Sequence, residues 1–328
     1  MTDPEVATRA PESDPQADAP TPSETPKAPM GEHCTSDRPT PAGQASTGEI
    51  TKLNEVDAYI SKPADYPHIP SRLLLLLTGG TGLHSVNNQI QADRFASEGY
   101  VVVMPDLFSG DPAPNSSTAA ELAAESGGSA SFLDTFKIKA VETAKSFLID
   151  MWLARHTEEK VLPILHNVLD ACRDEFADAV SHGGGVYAVG YCFGARYVLL
   201  LAAERPVQGA GGGASGNADG DEEAAKPKTS GPFIKAGALA HATLVSKDDF
   251  VGLKAPISVV SVENDPLFPD EVRMAGEDYM SNNGVEHEVQ VYPGVPHGFA
   301  VVGEYEDANI KIAQATAFEQ MLKWIQEH

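Results

Sequence analysis

A thiol, a carboxylate and an imidazole stand in this chain in the order Cys192, Asp265, His297. An imidazole that takes a proton from a thiol makes a nucleophile, and a carboxylate behind the imidazole fixes its tautomer and supports its charged form. Cys192 lies in Gly190-Tyr191-Cys192-Phe193-Gly194, between the apolar run Val186–Val189 and a segment from Ala195 to Ala203 that reads as helix. Strand, glycine-flanked turn and helix together form the setting of a nucleophile elbow, with cysteine in the place usually held by serine. Small neighbours let the strand and helix close around a strained residue. The positive end of the following helix lowers a thiol pKa and favours an oxyanion. Taken alone, the same pattern suits a buried cysteine in a glycine-rich turn.

Asp265 follows the apolar run Ile257–Val262, in Glu263-Asn264-Asp265-Pro266. His297 follows Val289–Tyr292, in Pro293-Gly294-Val295-Pro296-His297-Gly298-Phe299. Each has a plainer reading by itself. Asp-Pro opens turns, and a histidine in a Pro/Gly turn is usually a surface residue. The order nucleophile, acid, histidine, with each at a strand's carboxyl end, is what a triad on this kind of sheet requires.

The elements that must carry these residues alternate strand and helix. Leu73–Leu77, Tyr100–Met104, Val186–Gly190, Ala236–Ala240, Ile257–Val262 and Val289–Tyr292 read as strands, and Val56–Ile60 as an edge strand. Ser85 is placed to cap a helix carrying Val86, Ile90 and Phe95 that Gly99 closes. Residues 118–182 read as helical, with Phe132, Phe136, Ala140, Phe147 and Met151 at near-helical spacing and Thr157 capping a helix; Trp152 in this region reads as a core aromatic, or as a lid residue lining the pocket. The last 24 residues carry Ile312, Phe318, Leu322 and Ile325 at helical spacing. This predicts an α/β fold: one domain with a mostly parallel, doubly wound sheet and helices on both faces. Chemistry in such sheets gathers at the carboxyl ends of the strands.

Composition bounds the rest. The chain has 328 residues, 42% of them hydrophobic, and a net charge of −24. That charge argues against a nucleic-acid or anionic-membrane partner. Residues 1–45, rich in Pro, Thr, Ser and acids, read as a disordered tail, leaving 46–328 as the domain. His33 and Cys34, near the end of this tail, read as incidental. Residues 207–231 read as a flexible acidic insertion. No secretory signal or membrane span is read. Three widely spaced cysteines (Cys34, Cys172, Cys192) suggest neither a disulfide framework nor a zinc site, so a cytoplasmic setting without metal or cofactor is expected. A monomer or weak homodimer is expected.

With those residues in view, the chain resembles the dienelactone hydrolases, a branch of the α/β-hydrolases, and most closely their fungal cytosolic members. Gly190-Tyr191-Cys192-Phe193-Gly194, Asp265 and His297-Gly298-Phe299 carry the resemblance, with Val86-Asn87-Asn88-Gln89-Ile90, Gly99-Tyr100 and Met104-Pro105-Asp106. It implies hydrolysis of an enol-lactone or related ester, a small-molecule substrate, through a Cys-His-Asp triad. Cys192 would attack, His297 would move the proton and Asp265 would orient it. The backbone N–H groups of Phe193 and Gly80 would hold the oxyanion, where one donor is worth about 3 kcal/mol of barrier. Gly79, Thr81, His241, Tyr191 and Phe299 are expected near the substrate, with His84 at the rim. Tyr191 also reads as core.

Two positions depart from the bacterial pattern. Where those proteins carry a glutamate that holds the resting thiol, this chain has Gly79, which points to direct pairing of Cys192 with His297. Where they carry an arginine for the substrate carboxylate, it has Val301, which points to a more apolar or bulkier ester or lactone. The alternatives are an acyltransferase or thioesterase of a polyketide-type pathway, and a catalytically silent ligand-binding protein on the same scaffold.

Overall fold

A computed structural model of the chain describes residues 30, 32–115, 146–206 and 229–328. Eight strands form one sheet in the order β1-β2-β4-β3-β5-β8-β9-β10. They are β1 (Glu49–Leu53), β2 (Val56–Ser61), β3 (Arg72–Leu77), β4 (Tyr100–Pro105), β5 (Val186–Tyr191), β8 (Ala236–Ala240), β9 (Ile257–Val262) and β10 (His287–Tyr292). β6 (Arg205–Pro206) and β7 (Thr229–Ser230) make a separate two-stranded ribbon. From β4 to β10 the pairs are parallel, whereas β1 with β2 and β2 with β4 are antiparallel.

Val56–Ser61 is therefore not the edge strand its alternation suggests. The polar strand β1 covers it, with Glu49 opposite Ile60 and Leu53 opposite Val56. The other strand assignments hold to within two residues at their ends. The leucine run of β3 shows why the sheet is covered on both faces. Leu73, Leu75 and Leu77 pack in one cluster with Phe193, Val198 and Leu169. Leu74 and Leu76 point the other way, into a cluster with Phe95, Phe318 and Trp324. Such continuous apolar runs belong to strands buried on both sides.

The helices are α1 (Glu32–Thr35), α2 (Val86–Ser97), α3 (Glu158–Glu175), α4 (Ala177–Gly183), α5 (Phe193–Ala202), α6 (Asp270–Asn282) and α7 (Ala308–Glu327); residues 146–155 are also helical. Ser85 caps α2 as expected, accepting from the Asn88 N–H. Thr157 stands at the N-cap of α3 without a capping bond from its side chain. In α7 the core-facing side chains are Phe318, Met321, Trp324 and Ile325, whereas Ile312 is exposed. Trp152 is core, stacked near Phe108 and Phe193. The helical reading of 118–145 falls on residues 116–145, outside the described ones, and the acidic insertion does so over 207–228.

Composition also misjudges where the domain begins. Residues 34–48 lie against it. Asn87 Nδ2 donates to the Arg38 carbonyl (2.7 Å), Ser85 Oγ to Asp37 (2.8 Å) and the Glu304 N–H to the Pro39 carbonyl (2.9 Å). The Arg38 guanidinium sits 4.6 Å over the Tyr305 ring. A chain poor in apolar groups is ordered here by polar bonds to a preformed surface, which composition does not register.

Sheet order runs outward in both directions from the β3–β5 pair, so the loops after these two strands diverge. That switch point opens a crevice at the carboxyl edge.

Candidate active site

Cys192 ends β5 and begins α5 with φ +50° and ψ −113°, a conformation that favours glycine. The flanking glycines are what permit it. A Cβ on Gly190 would come within 2.6 Å of Val198 Cγ2, and one on Gly194 would strike the Leu77 carbonyl. Two bonds lock the turn: Cys192 N–H to the Ala240 carbonyl (3.1 Å) and Gly194 N–H to the Thr78 carbonyl (3.0 Å). Strain at one residue is thus held by the strands on either side.

Asp265 and His297 come to the same edge from β9 and β10. Asp265 is buried at the start of a turn, where the Leu267 N–H fixes its Oδ1 (2.9 Å). Its Oδ2 faces His297 Nδ1 at 2.6 Å. This leaves His297 Nε2 turned toward the sulfur, with Thr243 Oγ1 between them: 3.3 Å from Nε2 and 3.4 Å from Cys192 Sγ. The Thr243 N–H also bonds the Cys192 carbonyl (3.2 Å), which holds the hydroxyl in place. Direct thiol–imidazole pairing was expected. Thr243 bridges the two, and the interaction of His297 with Cys192 itself also shifts both groups.

A second sulfur completes the cluster. Cys34 Sγ lies 3.1 Å from Cys192 Sγ, and both residues are buried. The bond to Cys34, followed by His297 and Thr243, holds the Cys192 thiol well below its ordinary pKa against burial, which acts the other way. Burial also pulls His297 down, but its bonds to Asp265 and to Cys192 outweigh that and raise it to about 9. A thiolate beside an imidazolium is the state these two shifts favour. The sulfurs of Cys34 and Cys192 and a ring nitrogen of His297 all lie within 4.8 Å of one another.

The cleft over the sulfur is lined by Gly79, Thr81, Tyr191, His241 and Val301, and by residues 36–38 of the N-terminal segment. The space free beside the sulfur is about 30 Å³, room for a water molecule. Gly79 is where a Cβ would come within 3.1 Å of Cys192 Cβ. Thr81 accepts from Asn88 Nδ2 (3.0 Å). His241 is buried, with φ +37° and its ring 5.0 Å from that of His297. Tyr191 is buried against His241, so its core reading and its place in the lining both apply. His84 is exposed.

One expectation needs correction. Phe299 is fully buried against Tyr292 and His241 and is a core residue, because the tight turn after His297 folds it back under the histidine. Gly80 lies beside the N-terminal segment. A Cβ there would come within 2.5 Å of the Cys34 carbonyl, and its own carbonyl accepts the Ala113 N–H (2.8 Å). Phe193 heads α5 with its ring packed on Phe108, Trp152 and Tyr197.

A strained residue between strand and helix at the switch point of a mostly parallel sheet, with a histidine and an acid beyond it, defines an α/β-hydrolase. Within that class the chain belongs to the dienelactone hydrolase family, whose model matches residues 56–328. It is 28% identical over 281 residues to the hydrolase pyvD of Aspergillus violaceofuscus, covering 86% of this chain and 90% of that one. It is 25% identical over 280 residues to dienlactone hydrolase 1 of Gibberella moniliformis, covering 85% and 87%. The fold is shared with a thermophilic esterase of Thermogutta terrifontis in its propionate-bound form (TM-score 0.53, 15% identity, 86% and 96% covered). The chain is an ester or lactone hydrolase by family and fold. Among the described residues no helix is long and apolar enough to cross a membrane.

Proposed function

We propose that the protein hydrolyses a carboxylic ester or enol-lactone through a thioester on Cys192, with His297 as proton carrier and Asp265 orienting it. The observation that carries this reading is the unbroken relay from Asp265 through His297 and Thr243 to Cys192. The Cys192 thiolate adds to the acyl carbon as the carbonyl π pair moves onto oxygen. Collapse expels the alkoxide or enolate, which takes the Nε2 proton of His297. Water then gives its proton to His297 and its hydroxide to the thioester carbon. The second collapse returns the thiolate and releases the acid.

The Phe193 N–H at the head of α5 suits the oxyanion, since the next N–H, of Gly194, is already bonded to Thr78. A second donor from the loop after β3 would complete the hole; Gly79 and Thr81 line the cleft there. Val301, also in the lining, favours an apolar acyl or alcohol group. The test is p-nitrophenyl acetate hydrolysis by the wild type and Cys192→Ala, with mass spectrometry of the quenched enzyme. The wild type gains an acetyl group on Cys192 and turns over. Equal turnover by the variant refutes the proposal.

A further inference from the structure

We propose that Cys34 is a positioning residue of this reaction: its S–H donates to the Cys192 sulfur and holds it as the attacking thiolate. The proposal rests on Cys192 being the nucleophile.

The contact between the two sulfurs is built by several independent parts of the fold. The segment carrying Cys34 is fixed by Asn87 on Arg38, Ser85 on Asp37 and Glu304 on Pro39. The glycine at position 80 admits the Cys34 backbone, since a side chain there would strike its carbonyl. Met30 is buried in the same core cluster as Cys34. These contacts deliver one thiol, 158 residues distant in sequence, to 3.1 Å from the other.

The chemistry of the sulfur says what that thiol does. Cys192 is 4% exposed, so water solvates its thiolate poorly. The charge must be met by protein donors. Thr243 has one hydroxyl proton, and when it accepts from His297 Nε2–H it can give that proton to sulfur. Cys34 supplies a second. With both thiols protonated Cys192 can donate to Cys34; once Cys192 is a thiolate, only Cys34 carries a proton to share. Ionisation falls on Cys192 because it faces the imidazolium relay and heads the ten-residue helix α5. The other titratable or charged groups facing this sulfur or its cleft are Asp37 and Arg38 on the N-terminal segment, Tyr191 beside the nucleophile, His241 after β8, Tyr305 before α7, and His297 after β10 with Asp265 behind it. When sulfur bonds to the acyl carbon its charge leaves, and the Cys34 proton stays on Cys34. The thiol tunes the nucleophile without entering the proton balance.

The experiment is iodoacetamide alkylation of Cys192 from pH 4 to 10, read by peptide mass spectrometry in the wild type, Cys34→Ala and Cys34→Ser. The wild-type midpoint lies well below that of a free thiol, ~8.5. Cys34→Ala moves it up by about one pH unit, so alkylation well below the wild-type midpoint slows about tenfold while the alkaline plateau is unchanged. Cys34→Ser, whose hydroxyl also donates, brings it back. A merely structural role would lower thermal stability without moving the midpoint. An unmoved midpoint in folded Cys34→Ala overturns the proposal, as does a Cys34→Ser midpoint equal to that of Cys34→Ala. Should Cys34→Ala not fold, Cys34→Val fills the volume without a hydrogen-bond donor of that strength and is read against Cys34→Ser in its place. Hydrolysis retained by Cys192→Ala removes the nucleophile assignment instead, whatever the alkylation shows.

Discussion

Asp265→Asn isolates the acid's part in the relay with little disturbance of the turn that holds it. Asn keeps an oxygen for the Leu267 N–H, now bonded to Asp265 Oδ1 at 2.9 Å, so the loop retains its anchor. What is lost is the negative oxygen 2.6 Å from His297 Nδ1. That carboxylate is a main reason His297 is raised to about 9. At pH 7.5 a histidine of pKa about 9 is ~97% imidazolium, whereas one at the ordinary ~6.5 is ~9%. Protonation alone therefore costs about tenfold in the thiolate–imidazolium pair. The amide also favours the wrong imidazole tautomer, a penalty that reaches ~10⁴ in serine triads. A thiol ionises more readily than a hydroxyl, so we expect kcat/KM to fall by about 10²–10³, or ~3–4 kcal/mol at 1.36 per decade. The assay is p-nitrophenyl acetate hydrolysis across pH 5–10, with circular dichroism to confirm folding. We expect the wild-type alkaline limb at about 9, where His297 would lose its proton, and the variant's to move toward ~6.5. A variant within threefold of wild type, its alkaline limb still at about 9, would refute the reasoning.

Gly194→Ala places a Cβ against the Leu77 carbonyl, a backbone clash that no rotamer relieves. A loss of about 4 kcal/mol or more is expected, read as a lowered urea midpoint or as insoluble protein. Arg196 donates to Glu158 (2.8 Å) and Asp249 (2.9 Å), tying α5 to α3 and to the turn after β8. Arg196→Met leaves the nearly inaccessible Asp249 carboxylate without its cation and lowers unfolding free energy by about 3 kcal/mol, measured by chemical denaturation. Brief treatment with hydrogen peroxide converts the Cys192 thiolate to a sulfenic acid, releasing hydroxide. The Cys34 thiol, 3.1 Å away, then displaces water to form a disulfide. Activity is lost, mass falls by two hydrogens, and dithiothreitol restores both; in Cys34→Ser the loss proceeds to irreversible acids.

The sheet was legible because its signals are local. Five consecutive leucines, Leu73–Leu77, can be satisfied only with apolar groups on both faces, and the two core clusters supply them. The positions of Cys192, Asp265 and His297 were legible for a related reason. Each follows an apolar strand, and parallel strands carry their carboxyl ends to one edge. The error at Val56–Ser61 arose where local evidence was weakest. β1, with four exposed residues out of five, has no apolar alternation to announce it, and only its pairing with β2 makes it a strand.

Cys34 and Thr243 were illegible for a different reason. Neither sits in a motif, and the pairs they form span 158 and 54 positions. The composition around Cys34 predicts disorder, correctly in its premise that residues 34–48 bury few apolar side chains of their own. What orders them is a set of backbone carbonyls and carboxylates meeting donors on α2 and on the loop before α7, such as Asn87, Ser85 and the Glu304 N–H. Those donors exist as a matched surface only once the sheet has folded. The glycine at position 80 was the one available signal. It was read for its backbone N–H, and its missing side chain also makes room for the Cys34 carbonyl. A glycine in a loop after a central strand thus has two physical explanations, approach by a ligand or approach by the chain's own backbone. Here the second brings a new sulfur to within 3.1 Å of Cys192 Sγ.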